Sequence, residues 1–247
     1  MAEEYDPWHR RLADAERESG IETASGTWYD MVRERIGNVS GLHVIEIGCG
    51  RGAFAIELAR RGAHVTAVDV STVAIDLARA RAASAGIDID FRVLDAQDTG
   101  LPAATYDLVV SCECLEHVPR PKSMAQELFR LCKPGGRCVL TTPSYMNGFI
   151  LAWIVSWLRR KPYNSGIGVQ PHESFFLFFR VREMLKRAGF LVNDEDSRIF
   201  QWLLLPRCDP AKLRVVNFRR AWQNRLARPF GLHFLFDLQR PVSGARA

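Results

Sequence analysis

Between residues 42 and 142 the chain alternates short apolar runs with helix-like segments, and this alternation restricts its fold more than any other feature. Strands are predicted at Leu42–Ile47, Val65–Val70, Ile89–Leu94, Tyr106–Ser111 and Arg137–Thr142. Helices are predicted at Ala53–Arg60, Thr72–Ala85 and Lys122–Cys132. Repeated β-α units pack as a parallel sheet with helices on both faces. The pattern therefore predicts an α/β fold with a doubly wound, mostly parallel sheet.

The alternation stops after Pro143 and resumes later in the chain. Residues 144–179 hold an apolar run, a basic cluster and a glycine-containing stretch, so we interpret them as an insertion after strand five. A helix near Val181–Ala188 and strands near Phe190–Asp194 and Ile199–Leu205 are predicted to complete the sheet. We therefore place the core domain at residues 41–206, after N-terminal helices at 1–40 and before a basic, aromatic C-terminal extension at 207–247.

Composition and charge limit the possible partners. The net charge is +5, but residues 207–247 hold nine basic and two acidic residues, so the first 206 residues carry about −2. Because most of the chain is slightly acidic and has no recognisable RNA-binding module, no nucleic acid is expected as a partner. The first residues lack the apolar core of a signal peptide, and the six cysteines form no Cys-x-x-Cys pair. We therefore expect a cytoplasmic protein with reduced cysteines.

A glycine turn, Gly48-Cys49-Gly50-Arg51-Gly52, follows the first predicted strand directly. Open α/β sheets bind ligands at the carboxyl ends of their strands, and glycines there allow a ligand to approach the backbone closely. The pattern Gly48-x-Gly50-x-x-Ala53 also fits a loose dinucleotide-binding fingerprint. The turn alone therefore leaves three interpretations open: a methyl-donor site, a dinucleotide site or a purely structural turn.

Three acidic residues at successive strand ends separate these interpretations. Glu46, two residues before the first glycine, suits an amino-bearing ligand. Asp69 ends the second strand, where a carboxylate can accept both hydroxyls of a ribose in either cofactor. Asp95 ends the third strand, where it can accept a hydrogen bond from an adenine amino group. A dinucleotide enzyme does not generally need Asp95, and the chain shows no second mononucleotide-binding half.

With these residues in place, the sequence resembles the class I S-adenosylmethionine-dependent methyltransferases. The resemblance covers residues 40–142 and rests on Val44–Gly52, Val68-Asp69, Leu94-Asp95-Ala96, Tyr106–Val109 and Leu131–Gly136. It implies a seven-stranded sheet whose last strand runs antiparallel, N-terminal helices that cover the cofactor site, and a lid in the insertion at 144–179. It implies S-adenosylmethionine as cofactor and S-adenosylhomocysteine as product. The cofactor-binding residues expected from it are Glu46, Gly48, Cys49, Gly50, Asp69, Val70, Asp95, Ala96 and Cys112.

The segment Glu113-Cys114-Leu115-Glu116-His117 follows the fourth strand, where the acceptor and the methyl group should meet. Neutral His117 can take a proton from a hydroxyl acceptor near pH 7, with Glu116 or Glu113 orienting it. The segment is similar to that of the ubiquinone-biosynthesis O-methyltransferases, some of which use these acids and the histidine for a divalent metal. His117, Glu116 and Glu113 are our candidate catalytic residues; a metal is an alternative that we do not favour, and a structural role for His117 stays open.

The apolar run at 149–158 and the basic residues that follow it suit either a lipophilic acceptor or a membrane interface. Ten residues are too few for a membrane-spanning helix, which needs about 20. A core helix or a dimer contact is an equally simple interpretation of this run, and the oligomeric state stays open. We therefore consider peripheral membrane contact through 149–161 as a hypothesis.

These features lead to one functional hypothesis and two alternatives. The first is O-methylation of a small lipophilic acceptor, such as a phenol, a quinone precursor, a fatty acid or a polyketide. The second keeps the cofactor but transfers the methyl group to nitrogen or carbon of a polar metabolite or sugar. The third is a non-catalytic, cofactor-binding protein associated with a membrane.

Overall fold

The computed structural model describes residues 2–19, 26–143, 171–172, 174, 176–198, 200–201, 215–216 and 228–242. The helices in this part of the chain are α1 (Ala2–Ser19), α2 (Thr27–Ile36), α3 (Ala53–Arg60), α4 (Thr72–Ser84), α5 (Pro121–Leu131) and α6 (Phe178–Arg187). Its strands are β1 (His43–Ile47), β2 (His64–Asp69), β3 (Asp90–Val93), β4 (Tyr106–Cys112), β5 (Cys132–Pro143), β6 (Leu191–Arg198), β7 (Phe200–Gln201), β8 (Val215–Val216) and β9 (His233–Gln239).

Seven of these strands form one sheet in the order β3-β2-β1-β4-β5-β9-β6. The first five run parallel to one another, and β9 pairs antiparallel with both β5 and β6. The predicted seven-stranded, mostly parallel sheet with an antiparallel last strand is therefore confirmed. The predicted insertion at 144–179 lies largely outside the described residues, because residues 144–170, 173 and 175 are not described.

Side chains on alternate strand positions pack into two apolar cores, one on each face of the sheet. Ile45, Val109 and Leu140 pack on one face with residues of α5 and α6. Val44, Val110 and Val139 pack on the other face with residues of α2, α3 and α4. Because a strand buried on both faces carries apolar residues at consecutive positions, the central strands appear in the sequence as continuous hydrophobic runs.

Local signals explain where the helices beside the glycine turn begin. Gly52 has a φ of 74°, and a Cβ added there would lie 2.8 Å from the Cβ of Ala78. This glycine therefore lets α3 start directly after the turn and pack closely on α4. Ser71 caps α4, because its Oγ accepts a hydrogen bond from the backbone N–H of Ala74 at 3.1 Å. Pro121 occupies the first turn of α5, where its missing N–H has no helical partner to lose.

The position of the antiparallel strand differs from our expectation. We predicted the last strand at Ile199–Leu205, but β7 covers only Phe200–Gln201 and pairs with β8 in a separate two-stranded sheet. The last strand of the main sheet is His233–Gln239, inside the segment that we interpreted as an extension. This strand was not predicted because its apolar run is short and lies in an arginine-rich segment. Phe234 and Phe236 of this run are fully buried in the sheet. The core domain therefore does not end at residue 206.

In the described residues, no helix combines the length and the apolarity that crossing a bilayer requires.

The interior position of β9 predicts a large effect for a substitution in it. Phe236 is fully buried and its ring stacks on that of Phe178 at 5.3 Å between centroids. We expect Phe236→Ala to lower the free energy of unfolding by about 3–5 kcal/mol, measured by urea denaturation. Phe230→Ala, at a side chain that is 49% exposed, is the control and should change it by less than about 1 kcal/mol. Equal effects would contradict the placement of β9 in the core.

Candidate active site

A cleft opens at the carboxyl ends of β1, β2, β3 and β4, where the predicted site residues converge. It has an empty volume of about 720 Å³, part of which is open solvent. Its lining consists of Tyr5, Trp8, His9, Gly48, Gly50, Val68, Asp69, Val70, Leu94, Asp95, Ala96, Glu113, Cys114, His117 and Val118. Eight of the twelve residues predicted from the sequence are among them.

The glycine turn forms one wall of this cleft. Gly48 and Gly50 have φ angles of 76° and 50°, in the left-handed region that favours glycine. A Cβ at Gly48 would lie 2.4 Å from the Sγ of Cys114, so the turn touches the segment after β4. The N–H groups of Gly48 and Cys49 both donate to the carbonyl of Val68, at 2.9 and 3.0 Å. These contacts bring the turn, β2 and the segment after β4 together around one space.

Asp69 fixes the turn from the end of β2. Its Oδ2 accepts a hydrogen bond from Gly50 N–H and its Oδ1 accepts one from Ser71 N–H, both at 2.9 Å. The carboxylate also lines the cleft, and each oxygen has a second lone pair for a ligand hydroxyl. Asp69 therefore shapes the glycine turn and is available to a ligand at the same time.

Asp95 and Ala96 occupy the corresponding position after β3. Oδ1 of Asp95 accepts hydrogen bonds from the backbone N–H and from the side-chain amide of Gln97, at 2.8 and 2.9 Å. The amide oxygen of Gln97 accepts a hydrogen bond from Arg120 N–H at 2.8 Å, just before α5. These hydrogen bonds connect the end of β3 to the loop after β4, which carries Glu113, Glu116 and His117.

Glu46, Cys49 and Cys112, also predicted as cofactor residues, are buried and are not part of the cleft lining. Glu46 is only 1% exposed, and neither of its carboxylate oxygens has a hydrogen-bond partner. Burial, and secondarily the charge of Asp69, raises the pKa of Glu46 well above its ordinary value, while the nearby N–H of Ala55 opposes the shift. An unsatisfied buried carboxyl directly beneath the turn is costly, and a cationic ligand nearby would offset that cost.

Helix α1 supplies three lining residues that we did not identify individually. The hydroxyl of Tyr5 donates to the carbonyl of His117 at 3.0 Å. Oδ1 of Asp6 accepts a hydrogen bond from the hydroxyl of Ser71 at 2.5 Å, which holds α1 on the start of α4. His9 is 6% exposed, with Nε2 4.0 Å from Oδ1 of Asp69, and burial lowers its pKa. The three lining residues are Tyr5, Trp8 and His9. Aromatic residues near one end of a helix are common in ordinary packing faces, so the sequence alone did not indicate that these residues line a cleft.

The acceptor-side residues form two separate hydrogen-bonded groups. In the first, Nδ1 of His117 lies 2.8 Å from the carbonyl oxygen of His172, and since a carbonyl only accepts, Nδ1 carries a proton. Nε2 of His117 lies 3.4 Å from Oε1 of Glu116. Glu116 is 1% exposed, lies outside the cleft lining and accepts a hydrogen bond from the hydroxyl of Thr142 at 2.9 Å. Glu116 is therefore placed where we expected an orienting residue for His117.

The second group contains Glu113 and His233. Glu113 directly follows β4 with a φ of 49°, and its Oε2 lies 3.0 Å from Nδ1 of His233, the first residue of β9. The described residues provide no contact between Glu113 and His117 that would support an orienting role for this acid. His233 was not predicted as a partner of Glu113, because it lies 120 residues later in the segment that we interpreted as an extension.

The possible metal site finds no geometric support in the described part of the chain. There, no group of three or more His, Cys, Asp or Glu side chains is arranged to hold a metal ion. Instead, Glu113 contacts His233, Glu116 contacts Thr142 and His117, and His117 also contacts the carbonyl of His172.

Comparisons with known proteins show the family to which this chain belongs. A family model described as a methyltransferase domain matches residues 45–140. The ubiquinone biosynthesis O-methyltransferase of Xylella fastidiosa is 31% identical over 224 residues, which cover 81% of this chain and 88% of that protein. The protein of the same name from Xanthomonas axonopodis pv. citri is 36% identical over 168 residues, covering 66% of this chain and 68% of that one.

A solved S-adenosylmethionine-dependent methyltransferase from Mesorhizobium loti shares the fold, with a TM-score of 0.60 and 21% identity. The alignment covers 87% of this chain and 99% of that one. The strand order, the cleft at the strand ends and the relatives matched over most of their length lead to one assignment. This chain belongs to the class I S-adenosylmethionine-dependent methyltransferases and is an enzyme of that family.

Proposed function

We propose that this enzyme transfers the methyl group of S-adenosylmethionine to an oxygen atom of a small lipophilic acceptor, in the class of phenols and quinone precursors. The observation that carries this proposal is a single cleft that joins a cofactor half, with Gly48, Asp69 and Asp95, to an acceptor half, with Glu113 and His117. The relatives named O-methyltransferases of ubiquinone biosynthesis support the choice of oxygen and of a lipophilic acceptor.

The residues of the cofactor half fit this cofactor. We propose that Asp69 accepts hydrogen bonds from the ribose hydroxyls, that Asp95 with Ala96 holds the adenine, and that Val70 packs beside the ribose. Glu46 would balance the charge of the amino group of the methionine moiety, directly or through water, from beneath Gly48 and Cys49. When bound, the cofactor supplies an electrophilic methyl group on a sulfonium.

The acceptor half determines what meets that methyl group. Cys114 and Val118 add apolar surface to the lining of this half, which suits an acceptor with a hydrophobic body. Both ring nitrogens of His117 face protein groups, so we propose that His117 orients the acceptor and shapes the wall, with Glu116 holding it. Methyl transfer to oxygen also requires removal of the hydroxyl proton, which a carboxylate or imidazole in this half can accept.

Peripheral membrane contact through residues 149–161 is part of the same proposal. This segment lies outside the described residues, and its support is the sequence pattern of tryptophans beside a basic cluster. A lipophilic acceptor that partitions into a bilayer would be reached most easily by an enzyme that touches its surface.

Isotope transfer tests the proposed reaction directly. The enzyme is incubated with S-adenosylmethionine carrying a deuterated methyl group and with nonylphenol or pentadecylcatechol, and the products are analysed by mass spectrometry. We expect a labelled methyl ether of at least one probe. Decyl amine and a hexose serve as nitrogen and sugar controls. Label on the amine and on neither phenol would contradict O-methylation, and label on the hexose alone would contradict a lipophilic acceptor. Both results would leave methyl transfer itself intact.

We expect the buried carboxyl of Glu46 to lower the stability of the ligand-free protein and to favour cofactor binding. Its raised folded-state pKa means that the ligand-free protein loses stability as the pH rises above about 4.3, the ordinary value for glutamate, towards the raised one. We therefore expect Glu46→Gln to raise the Tm of the ligand-free protein at pH 7, with no gain near pH 4, where the carboxyl is protonated in both states.

The same substitution should weaken S-adenosylmethionine binding by about 10- to 100-fold in calorimetry, the effect of losing a hydrogen bond to a charged group. Glu57→Gln, at a partly exposed carboxylate bound to Arg33, is the control and should leave cofactor affinity unchanged. A Glu46→Gln enzyme with wild-type affinity at every pH would show that Glu46 does not face the cofactor.

A further inference from the structure

The pair formed by Glu113 and His233 stands apart from the groups assigned above. Oε2 of Glu113 and Nδ1 of His233 are 3.0 Å apart, and their side chains are only 17% and 8% exposed. An ionised carboxylate only accepts hydrogen bonds, so Nδ1 is the donor in this contact. The ring of Trp28 lies 5.1 Å from that of His233 and packs on it. His233 therefore holds the carboxylate of Glu113 in place, and Trp28 supports the ring of His233.

The other oxygen of this carboxylate is unsatisfied. Oε1 of Glu113 is buried and has no hydrogen-bond partner, although the residue lines the cleft. Buried polar atoms are nearly always paired, so this oxygen at the cleft is an acceptor that the hydroxyl group of a ligand can use. Within the cleft lining, Glu113 lies in the acceptor half, next to Cys114, which touches the glycine turn.

The backbone at this position is also unusual. In the described residues only Ala104 and Glu113 combine a positive φ with a side chain larger than glycine. Such a conformation costs free energy for a residue of this type and is kept where the surroundings fix it, often at functional sites. Here the N–H of Glu113 is anchored on the carbonyl of Thr141, at 3.1 Å, in the neighbouring strand β5.

We infer that Glu113 is the residue that binds the acceptor hydroxyl and takes its proton, and that His233 is its positioning residue. This inference rests on the proposed O-methylation. The acceptor O–H donates to Oε1 of Glu113, while Nδ1–H of His233 continues to donate to Oε2. As the acceptor oxygen forms its new bond to the methyl carbon, the carbon–sulfur bond breaks and its electron pair stays on sulfur. The hydroxyl proton moves to Glu113, which becomes a carboxylic acid and returns the proton to solvent after the methyl ether leaves.

Variants of both residues test this assignment, with nonylphenol and pentadecylcatechol as probes. Glu113→Gln should lower kcat by about 100-fold or more, the usual range for loss of a general base. His233→Phe should lower it about 10-fold or more. His233→Asn places an amide N–H near the position of Nδ1, so it should recover most of the lost rate. Calorimetric affinity for S-adenosylmethionine should change by less than about threefold in all three, because none of them alters the cofactor half.

The double variant provides a readout that a merely structural role would not produce. If the two residues act as one unit, Glu113→Gln combined with His233→Phe should be no slower than Glu113→Gln alone. His64→Asn, at an exposed histidine far along the sheet, is the control and should keep wild-type kinetics.

Four results would overturn the inference: wild-type kcat/KM in His233→Phe, no recovery in His233→Asn, multiplicative losses in the double variant, or turnover abolished by EDTA and restored by Mg²⁺. The last result would make the acids metal ligands rather than direct partners of the hydroxyl. A wild-type enzyme that binds S-adenosylmethionine but methylates neither probe would instead refute the proposed O-methylation.

Discussion

The contact between Gly48 and Cys114 is the constraint on which the rest of the site depends. β1 and β4 are neighbours in a parallel sheet, so their carboxyl ends emerge side by side. The chain leaving β1 must turn within the space that the chain leaving β4 allows, and a Cβ at position 48 would overlap the sulfur of Cys114. Only a glycine in the left-handed region meets both conditions. The cofactor turn and the acceptor segment therefore form one cleft.

Other contacts join the two halves of the cleft across its open side. Tyr5 of α1 donates to the carbonyl of His117 in the acceptor half, while Asp6 of the same helix binds Ser71 beside the cofactor half. His9 of the same helix lies on the cofactor half, with its Nε2 4.0 Å from Oδ1 of Asp69. Helix α1 is therefore anchored on both halves of the cleft.

The sequence predicted the parallel part of the fold well because that part is made of local patterns. Apolar runs and the glycine turn act within a few residues, and α3 was predicted with its observed bounds. Asp69 and Asp95 could be named as candidate cofactor residues because they lie at strand ends, which a parallel sheet brings to one edge. Their position in the cleft follows from topology alone.

Long-range contacts leave no local pattern in the sequence. The seventh strand carries His233, 120 residues after Glu113, and no local pattern tells that a late strand inserts between β5 and β6. The same limit explains why Glu113 was assigned to orient His117, its neighbour in sequence, although its partner in space is His233. It also explains why Tyr5, Trp8 and His9 were missed as lining residues.

A matched pair of glycine variants tests the central claim, that the close contact at Gly48 builds the cofactor site. Gly48 and Gly41 have φ angles of 76° and 74°, so alanine strains the backbone equally at both. A Cβ at Gly48 overlaps Cys114, whereas one at Gly41 has no atom within 4 Å. Calorimetry with S-adenosylhomocysteine should show binding weakened by at least about tenfold in Gly48→Ala, a loss of about 1.4 kcal/mol or more, and unchanged in Gly41→Ala. Wild-type affinity in a folded Gly48→Ala protein would contradict the account.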